Sequence, residues 1–150
     1  MGLYERILVP TDGSAGMERV IEHAVELAAD QGATIYAVYV INTASYASLS
    51  MDSSWEGVAE MLEQEGETAL EEVIEIAETR DVSVETIELS GTPSQEIVRY
   101  AQDKECDLII MGTHGRGGID RLLLGSVAEK VVRTATVPVL TMRVGESSES

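Results

Sequence analysis

The sequence holds a single cysteine, only two lysines and no apolar run long enough to span a membrane. Cys106 has no partner for a disulfide within the chain, which fits a protein of the reducing cytoplasm. The first residues contain no basic segment followed by an apolar one, so they do not resemble a secretory signal. We therefore expect a cytoplasmic protein that does not insert into membranes.

Acidic side chains dominate the charge of the chain. The 27 acidic residues outweigh the 10 basic ones, which gives a formal net charge of −17 and a sequence pI of about 4.3. Such a surface repels phosphate backbones and anionic lipids, so nucleic acid and membranes are poor candidate partners. The scarcity of lysine beside 20 glutamates resembles a halophile's composition, in which salt screens the repulsion. An ordinary acidic cytoplasmic protein is the alternative.

Short apolar runs recur along the 150 residues and predict strands, several of them buried on both faces of a parallel sheet. Amphipathic helical segments lie between these runs, so we predict one α/β domain over residues 1–144, followed by a flexible polar tail at 145–150. The strands are predicted at 6–10, 34–41, 84–89, 108–111 and 137–142, and the helices between Ser14 and Gly32 and at about 55–80, 93–103 and 127–133.

Residues with helix-end preferences flank these segments. Ser14 is predicted to cap the first helix and Gly32 to end it. Residues 92–95 (TPSQ) read as a capping box with proline at the first helical position. The stretch at 42–54 lacks periodicity and is either a functional lid or a loose loop.

A glycine-rich stretch follows the fourth predicted strand. The strand ends at Gly112, and a second helix-start signal, Ser126 with Glu129, stands directly after Gly125. Bare backbone and a helix N-terminus would then point at one place, which favours an anion site over an ordinary strand-to-helix connection. A Walker loop is excluded because no Gly-Lys-Ser/Thr occurs, and the turn after the first strand holds only Gly13, so the dinucleotide fingerprint is absent.

The spacing of Gly112, Gly115 and Gly125-Ser126 resembles the nucleotide-binding signature of the universal stress protein family, and the resemblance extends from Ile7 to Met142. It implies a doubly wound, Rossmann-like sheet of five parallel strands in the order 3-2-1-4-5, with helices on both faces. It also implies ATP as the ligand, with Mg²⁺. In that strand order the first and fourth strands are neighbours at the centre of the sheet.

The resemblance and the residue chemistry together name a candidate site. Gly112 and Gly115 let backbone approach the phosphates, while Ser126 and Val127 donate to phosphate oxygens. Asp12 either has a functional role, as an acceptor for a ribose hydroxyl or a ligand for Mg²⁺, or is only a turn residue. The expected nucleotide-binding residues are Pro10, Thr11, Asp12, Val40, Met111, Gly112, Gly115, Arg116, Gly125, Ser126 and Val127.

Three functions compete for this site. An ATP-binding regulatory protein, acting through conformation or an unknown partner, is the leading hypothesis. A slow ATPase or nucleotidyl transferase is the second, although His114 is the sole candidate base and the glycine loop has no lysine. A flavodoxin-like receiver is the third. It would need an acidic pair after the first strand and a lysine after the fifth, but Asp12 stands alone and Arg143 occupies the second position.

The apolar strand at 137–142 lies at a sheet edge in the family's order and predicts a homodimer.

Overall fold

A computed structural model of the chain describes residues 2–14, 16–42, 55–113 and 126–143. Within these ranges five strands alternate with four helices, as predicted. The strands are β1 (Arg6–Pro10), β2 (Thr34–Asn42), β3 (Val84–Gly91), β4 (Leu108–Gly112) and β5 (Val139–Met142); the helices are α1 (Met17–Gln31), α2 (Trp55–Glu78), α3 (Pro93–Asp103) and α4 (Ser126–Thr134). None of these helices is long and apolar enough to cross a membrane.

All neighbouring strands are parallel, and the sheet order is β3-β2-β1-β4-β5. The prediction of a doubly wound sheet in the order 3-2-1-4-5 is therefore confirmed. The chain builds outward from β1 to β3 and then crosses back to β4 on the other side of β1. The order thus reverses between β1 and β4, at the centre of the sheet.

Two apolar layers cover the two faces of the sheet. Ile7 and Val9 of β1 pack with α1 and α2 on one face, whereas Leu8 packs with α3 and α4 on the other. All three side chains are completely buried, and burial of each such side chain contributes about 1.5–3 kcal/mol. The lack of apolar/polar alternation in β1 and β4 thus reflects burial on both faces.

Helix ends agree with the predictions only in part. The residue before α1 is Gly16, in a left-handed conformation with no side-chain cap, so the prediction that Ser14 caps this helix is wrong. Ser14 instead bonds to Asp12, which competes for its hydroxyl. Thr92 does precede α3 and Pro93 does open it, but no side-chain capping bond forms. Gly32 ends α1 in a left-handed conformation, as predicted.

The last two elements begin one or two residues away from their predicted starts. Helix α4 starts at Ser126, and Glu129, which was expected to complete a capping box, accepts a hydrogen bond from Arg133 at 2.8 Å. Strand β5 starts at Val139 instead of residue 137. Proline has no N–H for a strand ladder, and Pro138 contributes only its carbonyl, which accepts from the Ile109 amide at 3.1 Å.

One carboxylate fixes β1 against β4 at their amino ends. Asp107, immediately before β4, accepts the amide of Glu5 at 3.0 Å and that of Arg6 at 3.2 Å. In return, the Asp107 amide donates to the Arg6 carbonyl at 2.9 Å. Hydrogen bonds to a charged group are each worth about 1.5–3 kcal/mol, so this contact helps to set the register of the two central strands.

Like charges crowd the solvent side of the helices. The acidic residues at 18, 22, 26 and 30 are all exposed along one face of α1, and four ion pairs join charged side chains within the described ranges. On β3, partial burial raises the pKa of Glu88, and the carboxylates of Glu67 and Glu63 raise it further. Glu72 has a pKa raised in the same way, by burial and then by Glu18 and Glu75.

We predict that Glu88→Gln stabilises the protein at pH 7 and low salt. A carboxyl whose pKa is raised in the folded state destabilises that state as pH rises above its ordinary value of 4.5. Removing the charge should therefore raise the free energy of unfolding by about 0.5 kcal/mol, or the melting temperature by roughly 1–2 °C. Thermal denaturation followed by circular dichroism measures the difference.

The gain from Glu88→Gln should shrink below about pH 4.5, where the wild-type carboxyl is also neutral, and in molar KCl, which screens Glu63 and Glu67. Glu85→Gln, at an exposed position of the same strand, is the matched control and should change little. The wild type itself should melt at higher temperature in molar KCl. If the melting temperature changes neither with KCl nor with Glu88→Gln, the role assigned to acidic repulsion is contradicted.

Candidate functional site

The site lies where the sheet order reverses, at the carboxyl ends of β1 and β4. These strands pair in register, Ile7 beside Leu108 and Leu8 beside Ile109. Residues 11–12, which follow β1, and Thr113, which follows β4, therefore emerge at the same edge of the sheet. In open α/β sheets ligands bind at this point. The sequence only permitted this neighbourhood, and the structure confirms it.

Backbone bonds hold the turn after β1 in a fixed shape. Thr11 is 5% exposed, and its amide donates to the Val38 carbonyl at 2.9 Å. Its hydroxyl accepts the amide of Gly13 at 3.2 Å. Gly13 has a φ of +75°, a left-handed conformation that favours glycine. The preceding Pro10 is buried and pairs with Val38, so the whole turn is anchored to the centre of the sheet.

Asp12 lies exposed at the tip of this turn. Its Oδ1 atom accepts the amide of Ser14 at 2.9 Å and the hydroxyl of Ser14 at 2.6 Å. Asp12 therefore makes the hydrogen bonds expected of a turn residue. Both of these bonds use the same oxygen, and Oδ2 takes no part in them. The turn thus holds the carboxylate in one orientation without using all of its acceptor capacity.

Three of the predicted residues supply apolar surface on one face of the sheet. Met111 is 5% exposed and belongs to the core cluster beneath α3 and α4. Val40, near the end of β2, and Val127, in the first turn of α4, are partly buried against the same cluster. The structure therefore brings these side chains to the face on which α4 begins, where they can support an aromatic ring.

The first turn of α4 supplies backbone donors beside this surface. The helix runs for nine residues from Ser126, which is exposed. Amides at the start of a helix have no partner within it, and the helix dipole makes this end positive. Gly112 ends β4 close to the sheet's carboxyl edge. These groups suit an anion, and the donor set fits a phosphate.

Several predicted site residues lie outside the described ranges. They are Gly115, Arg116 and Gly125, together with His114 as the candidate base. The tail at 145–150 and the lid or loop predicted at 42–54 also lie outside the described ranges, except for residue 42. The roles given to these residues by the sequence remain predictions.

Thr113 was not predicted as a site residue. It follows β4 directly, is 5% exposed, and donates its amide to the Met142 carbonyl at 2.9 Å. Within the described part of the chain, its hydroxyl is buried and has no hydrogen-bond partner. One sequence feature could have indicated Thr113 as a site residue: it is the first polar residue after an apolar central strand.

Cys106 lies away from this edge, before β4, and is 4% exposed. Burial raises the pKa of its thiol to about 12, so it stays protonated and unreactive. It lines a cavity of about 240 Å³ between α3 and the segment before β5. Cys106 is therefore a packing residue just before the start of β4. No group of three or more His, Cys, Asp or Glu side chains suited to a metal occurs among the described residues.

Comparisons with known proteins place the chain among similar folds. It is 43% identical over 141 residues to the universal stress protein MJ0531 of Methanocaldococcus jannaschii, covering 94% of this chain and 83% of that protein. The solved structure of MJ0577 from the same organism matches with a TM-score of 0.83 at 30% identity, covering 97% and 99% of the two chains.

A second solved structure, the universal stress protein of Archaeoglobus fulgidus in complex with dAMP, matches with a TM-score of 0.68 at 23% identity, covering 94% and 99% of the two chains. At this identity the match shows the shared fold alone. The model of the universal stress protein family matches residues 3–143, which include all five strands and four helices described above. The chain belongs to the universal stress protein family.

Proposed function

We propose that the chain binds ATP with Mg²⁺ at the carboxyl ends of β1 and β4 and acts as a regulatory protein. In this proposal, bound nucleotide selects a conformation or a protein partner. The observation that carries it is the pairing of β1 with β4, which brings a carboxylate turn and a glycine-terminated strand to the same edge of the sheet. Both are next to a helix that can present unsatisfied amides.

Each part of the nucleotide has a matching group. Val40 and Met111 provide apolar surface for the adenine. Asp12 has an oxygen outside the turn for the ribose or for Mg²⁺, a cation that prefers carboxylates and phosphates. The Ser126 and Val127 amides donate to the phosphates. Gly112, together with the sequence-predicted Gly115 and Gly125, allows backbone to approach, and Arg116 is assigned to a phosphate.

The related fold of the Archaeoglobus fulgidus protein holds dAMP, which supports an adenine nucleotide as the ligand class. ATP is the nucleotide implied by the resemblance of the Gly112, Gly115 and Gly125-Ser126 spacing to the family's nucleotide-binding signature. The α4 amides and the predicted glycine loop offer several donors, which suits a triphosphate.

Electrostatics constrain where this binding occurs. A net charge of −17 repels ATP at long range, but the Debye length is only about 3 Å at 1 M salt. Amide donors act at contact distance and keep their strength there. We therefore extend the proposal to the saline cytoplasm of a halophile, where the acidic surface does not prevent nucleotide binding.

A slow ATPase or nucleotidyl transferase in the same crevice is the alternative function. Phosphoryl transfer needs cations on the developing charge and a positioned nucleophile. The glycine loop offers Arg116 and Arg121 as cations and His114 as a base. No lysine lies in this loop, so binding with little or no hydrolysis is the better match for the residues present.

A second copy of the chain is the proposed partner along β5. This strand is the last in the sheet order, and its residues are half-buried. Pro138 and Met142 direct their carbonyls to β4, so the alternate residues Val139 and Thr141 direct N–H and C=O groups to the open edge. Such an edge pairs readily with another strand.

We predict that Asp12→Asn removes the effect of Mg²⁺ on ATP affinity. Asparagine retains an oxygen that can accept both Ser14 bonds, so the turn survives, but the amide is neutral and holds Mg²⁺ poorly. The Kd for ATP in Mg²⁺ should rise about tenfold, which corresponds to roughly 1.4 kcal/mol, and the Kd in EDTA should change little. Isothermal titration calorimetry measures both.

Asp103→Asn is the charge-matched control for this measurement. Asp103 is exposed at the end of α3, near the amino ends of the strands, and its substitution should leave both affinities unchanged. An equal Mg²⁺ effect in wild type and Asp12→Asn would show that Asp12 acts only in the turn.

For His114→Ala we expect unchanged ATP affinity and no loss of turnover, because binding is assigned to backbone donors and hydrolysis is proposed to be negligible. Phosphate release assayed with the wild type and the variant tests this. Turnover above about 1 s⁻¹ that disappears in the variant would instead favour the enzyme. Gly115→Val, which places a side chain where phosphate must approach, should abolish ATP binding in a calorimetric titration.

Thr141→Pro should convert the dimer to a monomer. Proline removes the outward N–H at the edge of β5, while the bonds from the neighbouring residues to β4 remain. Thr141→Val keeps the N–H and serves as the control, which should stay dimeric. Light scattering at micromolar concentration in high salt reports the mass, and a monomeric wild type would refute pairing through β5.

A further inference from the structure

The Thr113 hydroxyl is the one buried side-chain oxygen or nitrogen without a hydrogen-bond partner in the described part of the chain. Buried polar groups are nearly always paired, and leaving one unpaired is costly. Thr11, which follows β1 just as Thr113 follows β4, accepts an amide with its own hydroxyl. The two threonines therefore differ in what the fold itself provides for them.

The hydrogen bonds between β4 and β5 define the direction of the Thr113 side chain. The Ile109 amide donates to Pro138 at 3.1 Å, and the Thr113 amide donates to Met142 at 2.9 Å. Amides of residues 109 and 113 thus point to the same neighbouring strand, as alternate residues of a continuing strand do. Side chains of such residues share one face of the sheet, so Thr113 lies on the face of Ile109 and Met111.

That face carries α4. Ile109 and Met111 belong to one buried cluster with Ala128 of α4, and Val127 packs against it. The first turn of α4, with its unsatisfied amides, begins on the same side of the sheet as the Thr113 hydroxyl. A hydroxyl can donate to an oxygen acceptor, and a phosphate oxygen is the acceptor that the α4 terminus favours.

We propose that the Thr113 hydroxyl donates a hydrogen bond to a phosphate oxygen of the bound nucleotide. This inference rests on the proposed function, and it adds a buried hydroxyl donor to the backbone amides and the Arg116 side chain already assigned to the phosphates. Ligand binding completes the hydrogen bonding of a group that the folded chain leaves unpaired. Thr113 therefore favours nucleotides that carry phosphate over the bare nucleoside.

The test compares Thr113→Val, which replaces the hydroxyl by a methyl of similar size, with Thr113→Ser, which retains the hydroxyl. ATP, ADP and adenosine are titrated into each protein by calorimetry in the presence of Mg²⁺. Thr113→Val should raise the Kd for ATP about tenfold, with the Kd for adenosine unchanged. Thr113→Ser should bind ATP within about twofold of the wild type.

Thermal melting without ligand separates binding from folding. Because the hydroxyl has no partner in the folded chain, Thr113→Val should melt at the wild-type temperature or above it. Thr86→Val, at an exposed position on β3, makes the same chemical change away from the site and should alter neither quantity. If valine prevents folding, Thr113→Ala compared with Thr113→Ser gives the same contrast.

The outcomes are distinguishable. A wild type that binds none of the three ligands overturns the proposed function and this inference with it. A wild type that binds ATP while Thr113→Val binds it equally well overturns this inference alone. Equal losses for ATP and adenosine would place the hydroxyl against the nucleoside and refute the phosphate contact. A lower melting temperature without ligand in Thr113→Val, with unchanged binding, would make the hydroxyl structural.

Discussion

The parallel pairing of β1 with β4 is the constraint on which the rest of the molecule depends. It joins strands that lie about a hundred residues apart in the chain, and Asp107 fixes it with bonds to the Glu5 and Arg6 amides. The register set at the amino ends carries through to the carboxyl ends, since each residue advances a strand by about 3.3 Å. Contacts at the amino ends of β1 and β4 therefore help to place Asp12 and Thr113 at the same edge of the sheet, at the carboxyl ends of these strands.

An acidic protein that binds an anion must separate long-range from short-range electrostatics. The charge of −17 is spread over exposed helix faces, where salt screens it within a few ångströms. The phosphate donors that we propose include backbone amides and a buried hydroxyl, which act at contact distance and carry no titratable charge. Dependence on salt and affinity for a nucleotide can thus be set by different residues.

Much of this structure could be predicted from the sequence because strands buried on both faces leave unbroken apolar runs. Residues 6–10 and 108–111 show such runs, and both strands lie where expected. Helix caps were less predictable, since Ser14 had two possible partners and the Asp12 carboxylate is the one it bonds. The start of β5 was misplaced because Val137 fits a strand by propensity while Pro138 interrupts the ladder.

The missed residue shows a limit of a different kind. A threonine after a strand is common, and nothing in the letters Gly112-Thr113-His114 indicates that the hydroxyl is buried without a partner. That property depends on tertiary packing around Thr113, which includes its backbone bond to β5, later in the chain. Local sequence motifs do not show which distant elements pair with one another, and the role of Thr113 depends on such pairing.

An unpaired buried hydroxyl has an energetic cost that the rest of the fold must offset. The cost is about 1–3 kcal/mol, against a total stability of about 5–15 kcal/mol for a domain. Burial, together with repulsion from nearby carboxylates, raises the pKa values of Glu72 and Glu88, so their ionised forms further destabilise the fold at neutral pH. A ligand that binds only the folded state stabilises it by about 2.7 kcal/mol at a hundred times its Kd. In the proposed complex, nucleotide binding at Thr113 would thus offset the cost of the unpaired hydroxyl. Occupancy of the site would then raise the free energy of unfolding of the whole domain.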